Sequence, residues 1–201
     1  MSIRGRIRRI RSGDPIIVVS GLPRSGTSLM MQMLEAAGLD IMSDGIREAD
    51  EGNLQGYYEV ERVKDLESEE DTSWLREARG KAIKIISFLL RYLPERFDYR
   101  VIFMHRNLAE VLDSQARLLA LRGESSDTED SQMRELFEDH LSGTRRMLEV
   151  RPCFEVLDVS FNDILADSSR EAERVNRFLG GRLDVERMAA VVRPKLYRSR
   201  S

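Results

Sequence analysis

IIVVSGLPRSGTSL, residues 16–29, decides how this chain is read. Ile16, Ile17, Val18 and Val19 form a short, continuously apolar, β-branched run, the pattern of a strand buried on both faces. Leu29, Met30, Met33, Leu34 and Ala37 then recur at helical spacing, and Gly38 is placed to stop the helix. Between strand and helix, Gly21 and Gly26 have the spacing of a phosphate-holding loop. Glycines let the backbone curl until successive N–H groups point inward, and the helix that starts near Thr27 offers its positive end to an anion. Thr27 and Ser28 add hydroxyl donors, and Arg24 adds a permanent charge with several N–H groups. A nucleotide triphosphatase would carry lysine directly after Gly26, together with a magnesium ion held by a hydroxyl and an acidic residue. Thr27 stands there instead, so the loop alone leaves the identity of its anion open.

Outward from the loop, strand-like and helix-like segments alternate. A second apolar run at 82–86 leads into SFLLRYLPERF, where Pro94 is expected to close a short helix. A third strand is expected at 99–104, followed by a helix over 108–121. The clearest amphipathic helix covers 131–150, with Met133, Leu136, Phe137, His140, Leu141, Thr144 and Leu148 on one face. CFEVLDV, 153–159, reads as a fourth strand, and 168–179 as a helix ended by Gly180 and Gly181. Residues 39–58 show no sustained period and are rich in turn formers, and a loop that long is usually functional or disordered. The acidic stretch at 124–131 reads as a solvated connection between helices. Strands alternating with helices imply an α/β fold of three layers, a mostly parallel central sheet flanked by helices, like that of the P-loop NTPases.

The chain's 201 residues suit one sizeable core, expected over 15–201, behind a basic flexible arm at 1–14 that carries Arg4, Arg6, Arg8, Arg9 and Arg11. That arm reads as a solvated tail, with attraction to an acidic partner or lipid headgroups as its alternative. With 32 basic against 35 acidic residues the net charge is −3, so no global field favours nucleic acid. No apolar run approaches the roughly 18 residues that span a bilayer. Cys153 is the only cysteine, which rules out an intramolecular disulfide and fits a reducing, cytoplasmic setting.

GLPRSGTS resembles the loop with which sulfotransferases hold the 5′-phosphosulfate end of 3′-phosphoadenosine 5′-phosphosulfate (PAPS). The resemblance implies that Pro23, Arg24, Ser25, Gly26, Thr27 and Ser28 bind that end of the donor, with neither the missing lysine nor a metal required. A second match lies in VIFMHRNLAEVLDS, where the family places an arginine at a strand end and a serine eight residues later on the donor's 3′-phosphate; here these are Arg106 and Ser114. An arginine at a strand's carboxyl end and a serine two turns into the next helix fall on one crevice, the usual ligand position in open α/β sheets. FEVLDVSFNDILADSSREAERVNRFLGG is similar to the family's late segment, a strand running into Tyr-Glu-Asp-Leu and a helix ending in Phe-Leu-Gly. Phe161 and Asn162 replace the tyrosine and glutamate, while Asp163, Phe178, Leu179 and Gly180 remain. This makes Asp158 a structural residue rather than a magnesium ligand. The resemblance covers about 15–198.

It implies transfer of a sulfuryl group from PAPS to a hydroxyl or amine. Such transfer needs the donor held, the acceptor aligned and the leaving phosphate's charge stabilised, a role for Arg24 and the backbone donors of 25–28. The acceptor's proton needs a base. Neither His105 nor His140 matches the family's catalytic histidine, and His140 reads as a packed residue. Among the carboxylates Asp44, Glu48, Asp50, Glu51 and Glu59, Glu59 is preferred because it follows Tyr57 and Tyr58 where the irregular segment ends; Glu48 comes next. Lys84 either faces the transferring group or points to solvent, and the tail VVRPKLYRSRS, which resembles the family's closing segment, either contributes Arg193 or Lys195 to the site or is simply exposed. A magnesium-dependent P-loop kinase or triphosphatase, and a catalytically inactive nucleotide-binding protein of the same fold, are the alternatives. The acceptor is open: Tyr57, Tyr58, Trp74 and the carboxylates of 39–80 suit a carbohydrate, lipid, small metabolite or peptide.

Overall fold

A computed structural model describes residues 13–44, 58–68, 71–121, 123 and 130–193. Residues 1–12 of the basic arm, Glu48, Asp50, Glu51, Tyr57, the acidic stretch 124–129 and Lys195 lie outside them. Five strands, β1 (Ile16–Gly21), β2 (Ile41–Met42), β3 (Ala82–Lys84), β4 (Tyr99–His105) and β5 (Phe154–Ser160), form one sheet in the order β2-β3-β1-β4-β5. Every pairing is parallel, and β1 sits at the centre, with Val19 opposite both Lys84 of β3 and Ile102 of β4. Parallel neighbours need crossovers: α1 (Thr27–Ala36) lies in the one from β1 to β2, and α2 (Leu108–Leu121) and α3 (Asp130–Val150) in the one from β4 to β5, while α4 (Phe161–Ala166), α5 (Ser168–Leu179) and α6 (Val185–Ala190) follow the last strand and pack back on the sheet.

Because side chains alternate along a strand, β1 feeds two cores at once. Ile16 and Val18 join Ile83, Val101, Phe103 and Leu148 on one face. Ile17 and Val19 join Met30, Leu34, Ile102, Ile164 and Val175 on the other. Each of these buried side chains contributes about 1.5–3 kcal/mol, which is why a run with no polar residue is needed at the sheet's centre. A smaller cluster of Leu22, Val111, Leu112 and Phe137 ties the glycine loop to α2 and α3. The later helices begin at side-chain caps: Ser160 accepts from the Asp163 amide, Asp167 from that of Arg170, and Asp184 from that of Arg187.

The expected strands and long helices fall within one or two residues of their places. The segment after β3 is a 3₁₀ helix, Ser87–Tyr92, rather than an α-helix, and it ends ahead of Pro94. β2 lies in the stretch read as irregular, since two residues carry no period. The six-residue helices α4 and α6 are too short for an apolar repeat. Leu136 departs from its expected place on the buried face of α3: it is 59% exposed. It stands one residue, about 100° of helix, from the line of Phe137, Thr144 and Leu148 that is buried.

Candidate active site

β1 ends at Gly21, and the five residues that follow turn back to start α1 at Thr27. Two features fix glycine at the ends of this turn. A Cβ on Gly21 would lie 2.6 Å from the Met104 carbonyl oxygen of β4, and one on Gly26 would lie 2.4 Å from the Phe161 ring of α4. Gly26 also has φ 98 as the residue capping α1, in the left-handed region that disfavours side chains. Within the turn, the Ser25 amide donates to the Leu22 carbonyl at 3.2 Å. The Ser25 hydroxyl is buried with no hydrogen-bond partner among the described residues. A buried hydroxyl in that condition is costly, and a bound anion would satisfy it.

Arg24 carries the strain of the loop, with φ 68 in the left-handed region. It is held from two sides. Its Nε donates to the Ser114 hydroxyl of α2 at 2.9 Å, and its carbonyl accepts from Arg106 Nη1 at 3.2 Å. Arg106, just past β4, is otherwise engaged by Glu110, with Nε to Oε2 at 2.9 Å, and its guanidinium lies 4.5 Å above the centre of the Phe161 ring. The second oxygen of Glu110 accepts from Asn162 Nδ2 at 3.2 Å. The Arg106 hydrogen bond, aided by that of Asn162, lowers the Glu110 carboxyl below its ordinary range against the opposing effect of burial. Arg24, Arg106 and Ser114, separated by up to 90 positions in sequence, are thus brought together at the carboxyl edge of β1 and β4. Glu110, Phe161 and Asn162 complete that group and went unselected from sequence. The one signal available was the spacing of Arg106 and Glu110, four residues apart on a helix start.

Lys84 and Glu59 meet one strand away. Lys84 Nζ lies 3.6 Å from Glu59 Oε1, with the lysine side chain only 9% exposed. Glu59 is carried by irregular chain that is nevertheless tied down: its carbonyl accepts from the Asp44 amide at 3.2 Å and the Ser43 hydroxyl at 3.3 Å. Tyr58, immediately before it, has φ 50 and donates its hydroxyl to Glu35 of α1 at 2.6 Å. Burial first, and then the Glu35 carboxylate, raise the tyrosine's pKa well above its ordinary value. Arg193 lines a cavity of about 430 Å³ with Gln32, Glu35 and Tyr58.

The remaining expectations place as follows. Asp158 has both oxygens engaged, by His105 Nε2 at 2.5 Å and Arg145 Nη2 at 3.0 Å. His140 stacks on Phe88 with ring centres 3.7 Å apart and hydrogen-bonds the Ser87 hydroxyl at 2.8 Å, so it is a packed residue. Among the described residues no helix is long and apolar enough to cross a membrane.

Residues 14–197 match the model of the sulfotransferase domain. The chain belongs to the sulfotransferase family. It is a transferase, and its parallel α/β sheet is that of its family, whose fold is P-loop-like. Sulfotransferase STF1 from Mycobacterium tuberculosis H37Rv superposes with TM-score 0.51 at 13% identity, over 94% of this chain and 74% of that one. At that identity the likeness speaks to architecture alone. The sulfotransferase domain of the curacin biosynthetic pathway gives TM-score 0.49 at 12% identity, over 84% of this chain and 74% of that one. That of the Synechococcus PCC 7002 olefin synthase gives 0.48 at 18%, over 92% and 83%. No curated protein shows significant sequence similarity.

Proposed function

We propose that this sulfotransferase takes its sulfuryl group from PAPS and delivers it to a hydroxyl or amine. The observation that carries the reading is the meeting of Arg24, Arg106 and Ser114, which joins a phosphate-type loop on β1 to a second basic group at the end of β4. Two anion-binding sets at adjacent strand ends suit a donor with phosphate at both its 3′ and 5′ positions. The orphaned Ser25 hydroxyl and the cradle at Gly21 and Gly26 fit the 5′ end. When bound, the donor supplies an activated sulfuryl group on a good leaving phosphate.

Arg24, with the loop residues Pro23 to Ser28, holds the 5′ end and stabilises the charge that grows on the leaving phosphate. Arg106 and Ser114 hold the 3′-phosphate, and the Ser114 hydroxyl, which accepts from Arg24, keeps its own proton to donate. Glu59 takes the acceptor's proton, and Lys84 supplies positive charge beside it. Glu48 lies outside the described residues and is the alternative base. No metal enters this scheme.

Calorimetric titration with 3′-phosphoadenosine 5′-phosphate, and with ATP with and without magnesium, tests the donor assignment on wild type and Arg106→Ala. Metal-independent binding of the bisphosphate that is lost in the variant supports it. Binding of ATP only with magnesium, and none of the bisphosphate, would replace it with a nucleotide kinase or triphosphatase.

A further inference from the structure

We propose that Glu110 is a positioning residue for the 3′-phosphate end of the donor site: braced by Asn162, it fixes the Arg106 guanidinium in the orientation that a phosphate meets. The inference rests on the reading above, that Arg106 contacts that phosphate. It adds a role for two residues that touch no ligand in that reading.

A guanidinium has five N–H donors in a flat fork, and an arginine of this length has many rotamers unless something holds it. Here three neighbours on three different elements do so. Glu110 of α2 takes Nε, the Arg24 carbonyl of the loop takes Nη1, and the Phe161 ring of α4 lies against the flat face. The third nitrogen, Nη2, makes no hydrogen bond among the described residues. Two edges and one face are therefore spoken for, and one amino group remains for an incoming anion.

Glu110 is itself held. A carboxylate paired with an arginine four residues back on an exposed helix contributes only a few tenths of a kcal/mol and swings freely. Arg106 is instead only 10% exposed on its side chain and Glu110 32%. Asn162 donates to the Glu110 oxygen that Arg106 leaves open, from the first turn of α4. The chain of contacts runs Asn162, Glu110, Arg106, Arg24, Ser114, crossing α4, α2, the residue just past β4 and the loop and returning to α2. An amide at 162 is what this arrangement requires, because a carboxylate there would set a second negative charge about 3.2 Å from Glu110 and turn an attraction into repulsion.

The test compares two nucleotides that differ only at the 3′ position, 3′-phosphoadenosine 5′-phosphate and adenosine 5′-monophosphate, by calorimetry on the full chain. Wild type and Arg106→Ala measure how much preference the 3′-phosphate confers. Glu110→Ala and the isosteric Asn162→Asp then ask whether positioning matters. Both variants are expected to reduce the preference for the bisphosphate at least about fivefold, while adenosine 5′-monophosphate affinity stays within about twofold, as losing one charge-assisted contact implies. A merely structural role would weaken both nucleotides alike, and that result overturns the proposal. So does an unchanged preference, and so does an increased one, which would make Glu110 a competitor for Arg106. Asn162 is exposed at a helix start, so Asn162→Asp retains the fold should Glu110→Ala lose it. No 3′ preference in wild type, or one that survives Arg106→Ala, would instead sink the donor assignment on which the inference stands.

Discussion

Around Arg24, the Arg24, Arg106 and Glu110 side chains are held by residues on a strand end, a helix or the five-residue loop between them. Around Glu59, the holding is done by the residues after β2, Ser43 and Asp44, and by Tyr58. The first half is a closed circuit with contacts of 2.9–3.2 Å. The second is one ion pair of 3.6 Å, kept in place by the clamp of Tyr58 on Glu35 and by backbone bonds to Ser43 and Asp44. Both halves store backbone strain, at Arg24 and at Tyr58. The difference is in what opposes the strain. On the proposed reading the first half is the donor half and the second the acceptor half: a donor calls for one fixed geometry, and regular elements give it, while an acceptor pocket is more readily built from loop.

Gly26→Ala should break the donor half most severely. The new methyl must occupy a left-handed φ of 98 and enter the Phe161 ring. Bisphosphate affinity is expected to fall on the order of 100-fold, with a lowered melting temperature, because the strain and the clash each cost about 1–2 kcal/mol or more. Phe161→Ala in the same chain removes the clash but not the strain, so it should restore melting temperature in part. Full restoration of binding would show that the left-handed turn is not needed.

Glu59→Gln and Lys84→Met sharpen the contrast from the other side. Each should leave bisphosphate affinity near wild type while lowering turnover with any productive hydroxyl or amine acceptor, Glu59→Gln by about 10²-fold or more if it is the base. Bisphosphate binding weakened as much as turnover would place the pair in the donor half. Tyr58→Phe should act in the same direction and more weakly, about threefold to tenfold on turnover, since the ring remains but the bond to Glu35 is lost. Unchanged turnover would mean that the clamp on Glu35 is not what holds Glu59.

The same contrast explains what the amino-acid sequence disclosed. β1, the loop and α1 were legible because a buried strand, two glycines and a helical repeat occupy adjacent residues. Arg106 and Ser114 were legible through the resemblance, whose arginine and serine eight residues apart are matched here across a single helix start; by themselves each would have passed for a surface residue. Glu110 and Asn162 were not, since 52 residues separate them and only the placing of α4 beside α2 makes them partners. The ion pair of Lys84 with Glu59 was half legible: each residue stood out by itself, but nothing in the order of residues joins a short strand to the end of a loop 25 positions earlier. β2 was hidden because two residues have no pattern, and Leu136 was misplaced because one residue's rotation on a helix separates a buried line from solvent.

The smallest expected effect lies away from both halves' side-chain contacts, where α3 packs on the 3₁₀ helix that follows β3. His140 is partly buried there against Phe88, and burial, with the positive charge of Arg91 as a lesser cause, lowers its pKa below the ordinary 6.5. Its imidazole therefore takes up a proton less readily in the fold than in the unfolded chain. Above the ordinary value neither state binds the proton, and the full stability is present. As the pH falls through 6.5 the unfolded chain protonates first, and stability declines until the folded-state value is passed. Glutamine at this position keeps an acceptor for the Ser87 hydroxyl but does not titrate. His140→Gln should accordingly flatten the fall in the urea midpoint between about pH 7 and pH 5, whatever it does to the midpoint itself. Slopes that remain equal would mean that some other group carries the pH dependence, and that the contact of His140 with Ser87 and Phe88 is indifferent to protonation.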